Sequence, residues 1–193
     1  MKTADDALTG NWQAKAEVGG SAFSKEIKIE TVIPNRLKVE LDLDGENLYK
    51  SDKPIKGKVS SQWLHGAIAA SLKTDVQVKF NAAATKFYRY SDYVFDDPTR
   101  KYEDDPITVF EGRLDENGKA EFEEDFSSVD NAPGVLSANF TTRVFEEGGA
   151  WSSGRMSALY YPYAAFVGIK LPKGDAARNM LLTDKVHVAS IAA

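Results

Sequence analysis

Short runs of alternating apolar and polar residues are the feature that most limits how this chain can fold. The run Leu37–Leu43 has leucine or valine at every odd position and a charged residue at every even one. In a β-strand, successive side chains point to opposite faces, so this spacing gives a strand with one buried and one solvated face. Asp44 and Gly45 then provide residues suited to a turn.

Eight further segments carry strand-like patterns. They are Phe23–Val32, Ile55–Leu64, Asp75–Phe80, Ile107–Leu114, Lys119–Phe126, Leu136–Phe145, Ser157–Tyr163 and Phe166–Leu171. The alanine-rich segments Gly66–Leu72 and Asn81–Lys86 are too short for ordinary helices and are expected to form single turns or loops. Strands without intervening helices predict an all-β fold, an antiparallel β-sandwich of about seven strands.

Three connections can be interpreted from their turn and loop residues. Asp115–Gly118 and Glu146–Gly149 each lie between strand candidates and offer residues that tolerate a positive φ, which predicts two hairpins. Asp92–Pro106 is a long acidic segment with prolines, and we expect an exposed loop. It lacks the residue order of an EF-hand, so a solvated loop is favoured over a calcium site, with calcium binding left open.

Composition limits the chemistry of this segment. With 24 Lys and Arg against 29 Asp and Glu, the net charge is −5, which does not favour nucleic acid as a partner. The absence of cysteine excludes disulfides and thiolate chemistry within the segment, and two histidines cannot build a multi-histidine metal site. No apolar run approaches the length of a membrane span, so membrane insertion is not expected, and the first ten residues lack the apolar core of a secretory signal.

The sequence predicts no catalytic, cofactor-binding or metal-binding residue. Ser152 lacks the Gly-x-Ser-x-Gly context, His65 is interpreted as a structural residue at a strand end, and His187 as a solvent-facing strand residue. Scattered carboxylates leave an enzyme, such as a glycosidase, as the least favoured alternative.

The aromatic residues between Phe87 and Phe95 allow two interpretations. They could pack into the core and its rim, which is the favoured reading, or they could form a platform for a sugar or a peptide. The candidate contact residues on the second reading are Tyr90, Tyr93 and Phe95.

Several motifs, taken in order, resemble the bacterial branch of the alpha-2-macroglobulin family. They are Gly10-Asn11-Trp12 with Phe23, Glu30-Thr31, Pro34-Asn35-Arg36-Leu37, Gly57-Lys58-Val59, Trp63-Leu64-His65-Gly66-Ala67, Leu114–Ala120, Val144–Gly149, Ser157–Pro162 and Phe166-Val167-Gly168. Together they cover roughly residues 10 to 172. The resemblance implies large extracytoplasmic proteins built from fibronectin-like sandwiches, with a bait segment and, in many members, a reactive thioester. Neither device is found here, because the thioester needs cysteine and no low-complexity bait segment is visible.

The resemblance also implies a domain organisation. Residues 1–33 would be the closing strands of a preceding macroglobulin-like domain, residues 34–172 a macroglobulin-like, fibronectin type III-like sandwich, and residues 173–193 the start of the next domain. About 100 residues are usual for such a sandwich, and the Asp92–Pro106 loop would absorb the excess. Phe23–Val32 is expected to join an exposed sheet edge or to pair with the C-terminal tail.

These observations favour a non-catalytic scaffold module of a protease-trapping, endopeptidase-inhibiting protein of the bacterial cell envelope. Its expected partners are neighbouring domains of the parent chain and, through the parent, proteases; its expected location is the periplasm or cell surface. The alternative is a cell-surface recognition module that binds glycan or peptide through the aromatic-acidic loop.

Overall fold

A computed structural model describes residues 10–29, 35–51, 53–102, 104–175, 177–178 and 180–193. The chain divides before Asn35 into two units, which are described separately. Twelve β-strands and a single 3-10 turn at Tyr88–Tyr90 make up the regular structure of the described residues. The predicted all-β class is therefore confirmed.

The strands are numbered in chain order. They are β1 Gly10–Val18, β2 Ser21–Ile29, β3 Leu37–Leu43, β4 Asn47–Tyr49, β5 Ile55–Trp63, β6 Lys73–Ala82, β7 Ile107–Arg113, β8 Lys119–Glu124, β9 Leu136–Phe145, β10 Trp151–Tyr161, β11 Gly168–Lys170 and β12 Ser190–Ala192. The unit after residue 34 has a five-stranded sheet, ordered β4-β10-β9-β6-β7, and a three-stranded sheet, ordered β3-β5-β8. A small third sheet pairs β11 with β12.

The alternating strands bury one face of each sheet against the other. In β9 every second residue from Leu136 is buried, and β6 buries Val76, Val78 and Phe80 in the same way. The other sheet contributes Leu37 and Val59 to the same apolar cluster. Removing this apolar surface from water is the main source of the stability of the sandwich.

Four aromatic side chains pack against one another within the core. Phe80 contacts Phe126 edge-on at 5.2 Å between ring centroids and Tyr160 at 5.3 Å, and Phe126 also contacts Phe140 at 6.5 Å. The hydroxyl of the fully buried Tyr160 donates a hydrogen bond to the Phe126 carbonyl oxygen at 2.9 Å. Burial, with the nearby carboxylates of Asp125 and Asp130, raises the pKa of Tyr160 to about 12.

A buried serine joins the two sheets at the start of β3. The Ser152 side chain oxygen in β10 accepts hydrogen bonds from the backbone N–H groups of Arg36 (3.0 Å) and Leu37 (3.1 Å). The guanidinium of Arg36 also pairs with Glu146 at 2.8 Å. The bond to Leu37 satisfies a backbone donor that would otherwise be buried without a partner at the start of β3.

The Glu146–Gly149 hairpin is confirmed, because β9 and β10 pair from Phe145 and Trp151 onward. The prediction of a hairpin at Asp115–Gly118 is wrong. The turn exists, and the Asp115 carboxylate accepts from the N–H groups of Asn117 and Lys119 at 2.8 Å. However, the turn carries the chain from β7 in one sheet to β8 in the other, and these two strands do not pair. The buried Leu114 just before the turn fixes this crossing over the core.

The strand near the start of the chain has a different partner from the one predicted. Within the described residues, β2 pairs in antiparallel fashion along its whole length with β1, which the alternation did not identify. Gly19 and Gly20 form the connecting turn with φ values of 59° and 82°. A two-residue turn with two positive φ values matches the twist of the strands that it joins. Residues 30–32 of the predicted strand lie outside the described residues.

Two further features of the larger sheet differ from the sequence prediction. β4 was not predicted, and it pairs with β10 in parallel, so the larger sheet is mixed and not purely antiparallel. β10 begins at Trp151, six residues before the predicted start. The first half of β10 contains serines and Gly154 and therefore lacks an apolar alternation. An added Cβ at Gly154 would overlap the Val39 carbonyl oxygen, so the two sheets pack closely at this position.

We expect Tyr160→Phe to lower the free energy of unfolding by about 1 kcal/mol, because it removes one buried hydrogen bond to the Phe126 carbonyl oxygen, which keeps the Val129 N–H as its second donor at 3.0 Å. Tyr163→Phe is the matched control. Tyr163 donates the same kind of bond to the Ala132 carbonyl at 2.7 Å, but its side chain is 38% exposed, and water can replace the lost donor. Urea unfolding should therefore show a smaller loss for Tyr163→Phe; equal losses would contradict this assignment.

We expect Gly118→Ala to destabilise the sandwich by about 2 kcal/mol or more. Gly118 has a φ of +71°, and an added Cβ would overlap the Ser61 carbonyl oxygen. Gly148→Ala, in the other turn, meets open space and is expected to change stability by less than about 0.5 kcal/mol. Thermal and urea unfolding of both variants test this difference, and a neutral Gly118→Ala would refute it.

Candidate functional site

Neither histidine lies in a catalytic arrangement in the part of the chain that the structure describes. His65 is exposed directly after β5 and stacks on Trp63 at 6.0 Å. His187 lies outside the strands, and its Nε2 donates to the Leu182 carbonyl oxygen at 2.8 Å. Its predicted position in a strand is therefore wrong, although it is exposed as expected.

The carboxylates of the Asp92–Pro106 segment are engaged by neighbouring groups. Asp92 pairs with Lys170 at 2.9 Å, and this hydrogen bond is the main reason why the pKa of Asp92 is lowered. The pKa of Asp97 is lowered chiefly by hydrogen bonds from the Thr99 hydroxyl and backbone N–H. Among the described residues, which leave out Glu103, no three histidine or carboxylate side chains are grouped so that they could hold a metal ion.

The predicted exposed loop is partly docked on the sandwich. The Asp96 carboxylate accepts from the Thr85 N–H at 3.0 Å, and the Thr85 hydroxyl oxygen accepts from the Val135 N–H at 2.8 Å. The Asp97 N–H donates to the Pro133 carbonyl oxygen at 2.8 Å. Gly134 allows this approach, since a Cβ there would overlap both Asp96 and Thr85. The loop is therefore exposed at Asp92 but half-buried at Asp96.

The structure brings Tyr90, Tyr93 and Phe95 together. Tyr90 meets Tyr93 edge-on at 5.4 Å and Phe95 at 6.3 Å. Phe95 also packs edge-on against Phe87 at 4.7 Å, and its ring lies so close to Gly168 that a Cβ could not fit there. Tyr90 is 40% exposed, whereas Tyr93 and Phe95 are half-buried. The cluster thus combines packing at its base with an open aromatic surface.

A cleft of about 570 Å³ opens beside this cluster. It is lined by Phe87, Tyr88, Arg89, Tyr90, Phe95, Ala164, Ala165, Phe166, Ala192 and Ala193. Three parts of the chain, around residues 87–95, 164–166 and 192–193, therefore build it together. Tyr93 does not line the cleft; its ring contacts Phe95 at 6.4 Å and lies under the ammonium of Lys170 at 5.9 Å. We call these ten lining residues the aromatic cleft.

The sequence analysis included Tyr88 in the aromatic segment but not among the candidate contact residues, although it is the most exposed aromatic residue of the cleft. The Tyr88 side chain is fully exposed, in the 3-10 turn Tyr88–Tyr90. A local signal was present, because Tyr88 and Tyr90 flank Arg89 in a segment without alternation. The contributions of Ala164, Phe166 and Ala192 could not be seen, since they depend on how distant segments fold together.

The most buried charge pair serves structure. Arg143 in β9 binds Asp75 in β6 with two hydrogen bonds, of 2.9 and 2.6 Å, at directly opposed positions of the sheet. The carboxylate raises the pKa of Arg143, and the guanidinium lies over the Phe145 ring at 5.6 Å. A fork-shaped pair between neighbouring strands fixes their alignment.

No described helix has the length and apolar character that crossing a membrane requires.

The fold and this distribution of polar groups define a β-sandwich module of the macroglobulin type. The family described as the bacterial alpha-2-macroglobulin MG5 domain matches residues 35–162. The chain belongs to this family. The match confirms the resemblance seen in the order of the sequence motifs. No curated protein sequence matches the chain.

Solved structures agree on the fold. Native Escherichia coli alpha-2-macroglobulin, seen by cryo-electron microscopy, aligns with a TM-score of 0.58 and 20% identity over 96% of this chain and 12% of that one. Salmonella alpha-2-macroglobulin reacted with methylamine aligns with a TM-score of 0.57 and 21% identity over 90% of this chain and 12% of that one. Trypsin-activated E. coli alpha-2-macroglobulin aligns with a TM-score of 0.55 and 23% identity over 86% of this chain and 11% of that one. The chain thus spans about an eighth of the length of these proteins.

We expect Phe95→Ala to destabilise the sandwich by about 1–3 kcal/mol, less than a fully buried phenylalanine would, because the ring packs on Phe87 and Gly168 but is only half-buried. Tyr88→Ala should change the free energy of unfolding by less than about 0.5 kcal/mol, since its side chain is fully exposed. Urea unfolding of both variants separates packing from surface residues. A neutral Phe95→Ala would show that the base of the aromatic cleft does not contribute to the fold.

Proposed function

We propose that this chain is a non-catalytic scaffold module of an alpha-2-macroglobulin-like protein that traps proteases in the bacterial cell envelope. The match of residues 35–162 to the MG5 domain family carries the proposal. The packing of the module supports a positioning role, because its core is continuous between two sheets and its buried charges are paired. A rigid sandwich can hold neighbouring domains at a fixed spacing.

We further propose that the module's partners are the neighbouring domains of the parent chain. Residues 1–33 would complete a preceding macroglobulin-like domain, residues 34–172 form the sandwich, and residues 173–193 lead into the next domain. The β1–β2 hairpin supports the first of these assignments, because two strands alone are marginally stable in water and Val18 and Phe23 are exposed on it. In the last segment, Ser190–Ala192 pairs with β11 and anchors the tail to the unit that contains the sandwich.

Protease capture would be a property of the parent protein. A cysteine-derived thioester cannot reside in these residues, because the chain has no cysteine. Any proteases would meet the module only as part of the parent, outside the cytoplasm, in the periplasm or at the cell surface.

The scaffold role is tested by measuring protease trapping with the isolated chain and with the parent protein. We expect the isolated chain to leave trypsin fully active on a protein substrate. In the parent, Phe80→Ala should reduce trapping, because truncating this buried ring costs about 3–5 kcal/mol and loosens the sandwich. Arg155→Ala, at an exposed position of β10, is the control and should trap normally.

Two results would contradict the scaffold role. One is stoichiometric inhibition of trypsin by the isolated chain. The other is normal trapping by a Phe80→Ala parent whose module is shown by limited proteolysis to be unfolded.

A second candidate function is recognition of a glycan or peptide at the cell surface through the aromatic-acidic loop, with Tyr90, Tyr93 and Phe95 as contact residues. The open aromatic cleft is the observation that favours it. Under this hypothesis the ligand would contact Tyr90 and Phe95 directly, and Tyr93 would support Phe95 through its ring contact.

A further inference from the structure

The lining of the aromatic cleft distinguishes between the two classes of ligand named for the recognition role. Its surface is formed mainly by aromatic rings and alanines, and no lining side chain carries a carboxylate or an amide. A sugar presents many hydroxyl groups, and burying them without partners is costly. Here only tyrosine hydroxyls, Arg89 and backbone groups could serve them. The cleft is better suited to an apolar side chain.

The size and rigidity of the aromatic cleft also suit a small apolar group. Its volume of about 570 Å³ lies within the range of about 300–1,000 Å³ that is usual for ligand pockets. Its base is held by the packing of Phe95 against Gly168 and by paired backbone hydrogen bonds between Val94 and Ile169, both 2.9 Å long. A site that is already ordered loses little entropy when it binds.

Arg89 is the one cationic residue among those that line the aromatic cleft. Arg89 is exposed and forms no hydrogen bond or ion pair with any residue that the structure describes. This sets it apart from Lys170 nearby, which is paired with Asp92. Arg89 is exposed and lines the cleft together with Tyr88 and Tyr90, so an anion beside a bound apolar group can reach it. Guanidinium groups bind carboxylates with fork-shaped geometry.

We propose that the aromatic cleft binds an extended peptide, taking up one aromatic or large aliphatic side chain while Arg89 pairs with an adjacent carboxylate. The charge of Arg89 and the apolar lining together select this occupant. Tyr88 covers the bound side chain from the solvent side. This inference rests on the second candidate function, recognition, and is independent of the scaffold role.

The experiment measures binding of fluorescein-labelled peptides to the full 193-residue chain by fluorescence polarisation. The probe is Gly-Ser-Glu-Phe-Ser-Gly, and its partners replace glutamate by glutamine or phenylalanine by serine. We expect the glutamine peptide to bind about fivefold more weakly, as for an exposed ion pair, and the serine peptide to lose binding.

Variants of the chain assign the binding to the aromatic cleft. Arg89→Gln should weaken the glutamate peptide about fivefold and leave the glutamine peptide unchanged. Tyr88→Ala should weaken both about tenfold. Arg155→Gln and Leu64→Ala, which change an exposed arginine and an exposed large apolar residue outside the cleft lining, are the controls and should bind normally. All four positions are exposed, so unchanged melting temperatures should accompany these results.

Other outcomes overturn the proposal. Peptide binding that survives Tyr88→Ala and Arg89→Gln would place the ligand elsewhere. Binding of glucose or N-acetylglucosamine oligomers that Tyr88→Ala abolishes, without peptide binding, would keep the recognition role and reject the peptide. Absence of binding by peptides and glycan oligomers at millimolar concentration would reject both, whereas the protease assays would still decide the scaffold role.

Discussion

The packing of two sheets face to face around a small group of aromatic rings is the constraint on which the rest of the structure depends. Phe80, Phe126 and Tyr160 come from β6, from the loop after β8 and from β10, so their contacts hold both strands and loops in place. The single polar atom at this centre, the Tyr160 hydroxyl, is satisfied by a backbone carbonyl. Because this hydroxyl is paired, burying it costs little, and the packed rings favour one arrangement of the strands.

The charged surface follows from that arrangement. On the outer face of the three-stranded sheet, Lys56 pairs with Glu123 at 2.9 Å and Lys58 with Glu121 at 2.7 Å across neighbouring strands. Such exposed pairs add little stability, but charged side chains on edge strands discourage pairing with other chains. The acidic segment that begins at Asp92 is paired in a similar way. Asp92 binds Lys170, Asp96 accepts from a backbone N–H group, and Asp97 accepts from the Thr99 hydroxyl and N–H. Acidic composition here therefore indicates local hydrogen bonding by these carboxylates.

The candidate site was only partly predictable. The sequence placed Tyr90, Tyr93 and Phe95 in one aromatic segment, and the structure shows that they touch. It did not reveal that Tyr93 is not part of the cleft lining or that Tyr88, which is, has a fully exposed side chain. The β1–β2 hairpin shows a miss of another kind, because Gly19-Gly20 between strand-like residues was a usable local signal. At Asp115–Gly118 the turn residues predicted a reversal correctly, but turn chemistry alone does not say which sheet the next strand will join.

The sequence by itself determined the all-β class, the buried face of the central strands and several of the places where the chain turns. These properties depend on local spacing: an alternation of apolar residues has one solution as a half-buried strand, and Asn, Asp and Gly tolerate turn geometry. Tertiary structure alone decided that β4 pairs in parallel with β10, that β7 and β8 part into different sheets, and that three distant segments enclose the aromatic cleft. Those outcomes depend on backbone hydrogen bonds and packing between residues far apart in the chain, for which the local pattern contains no information.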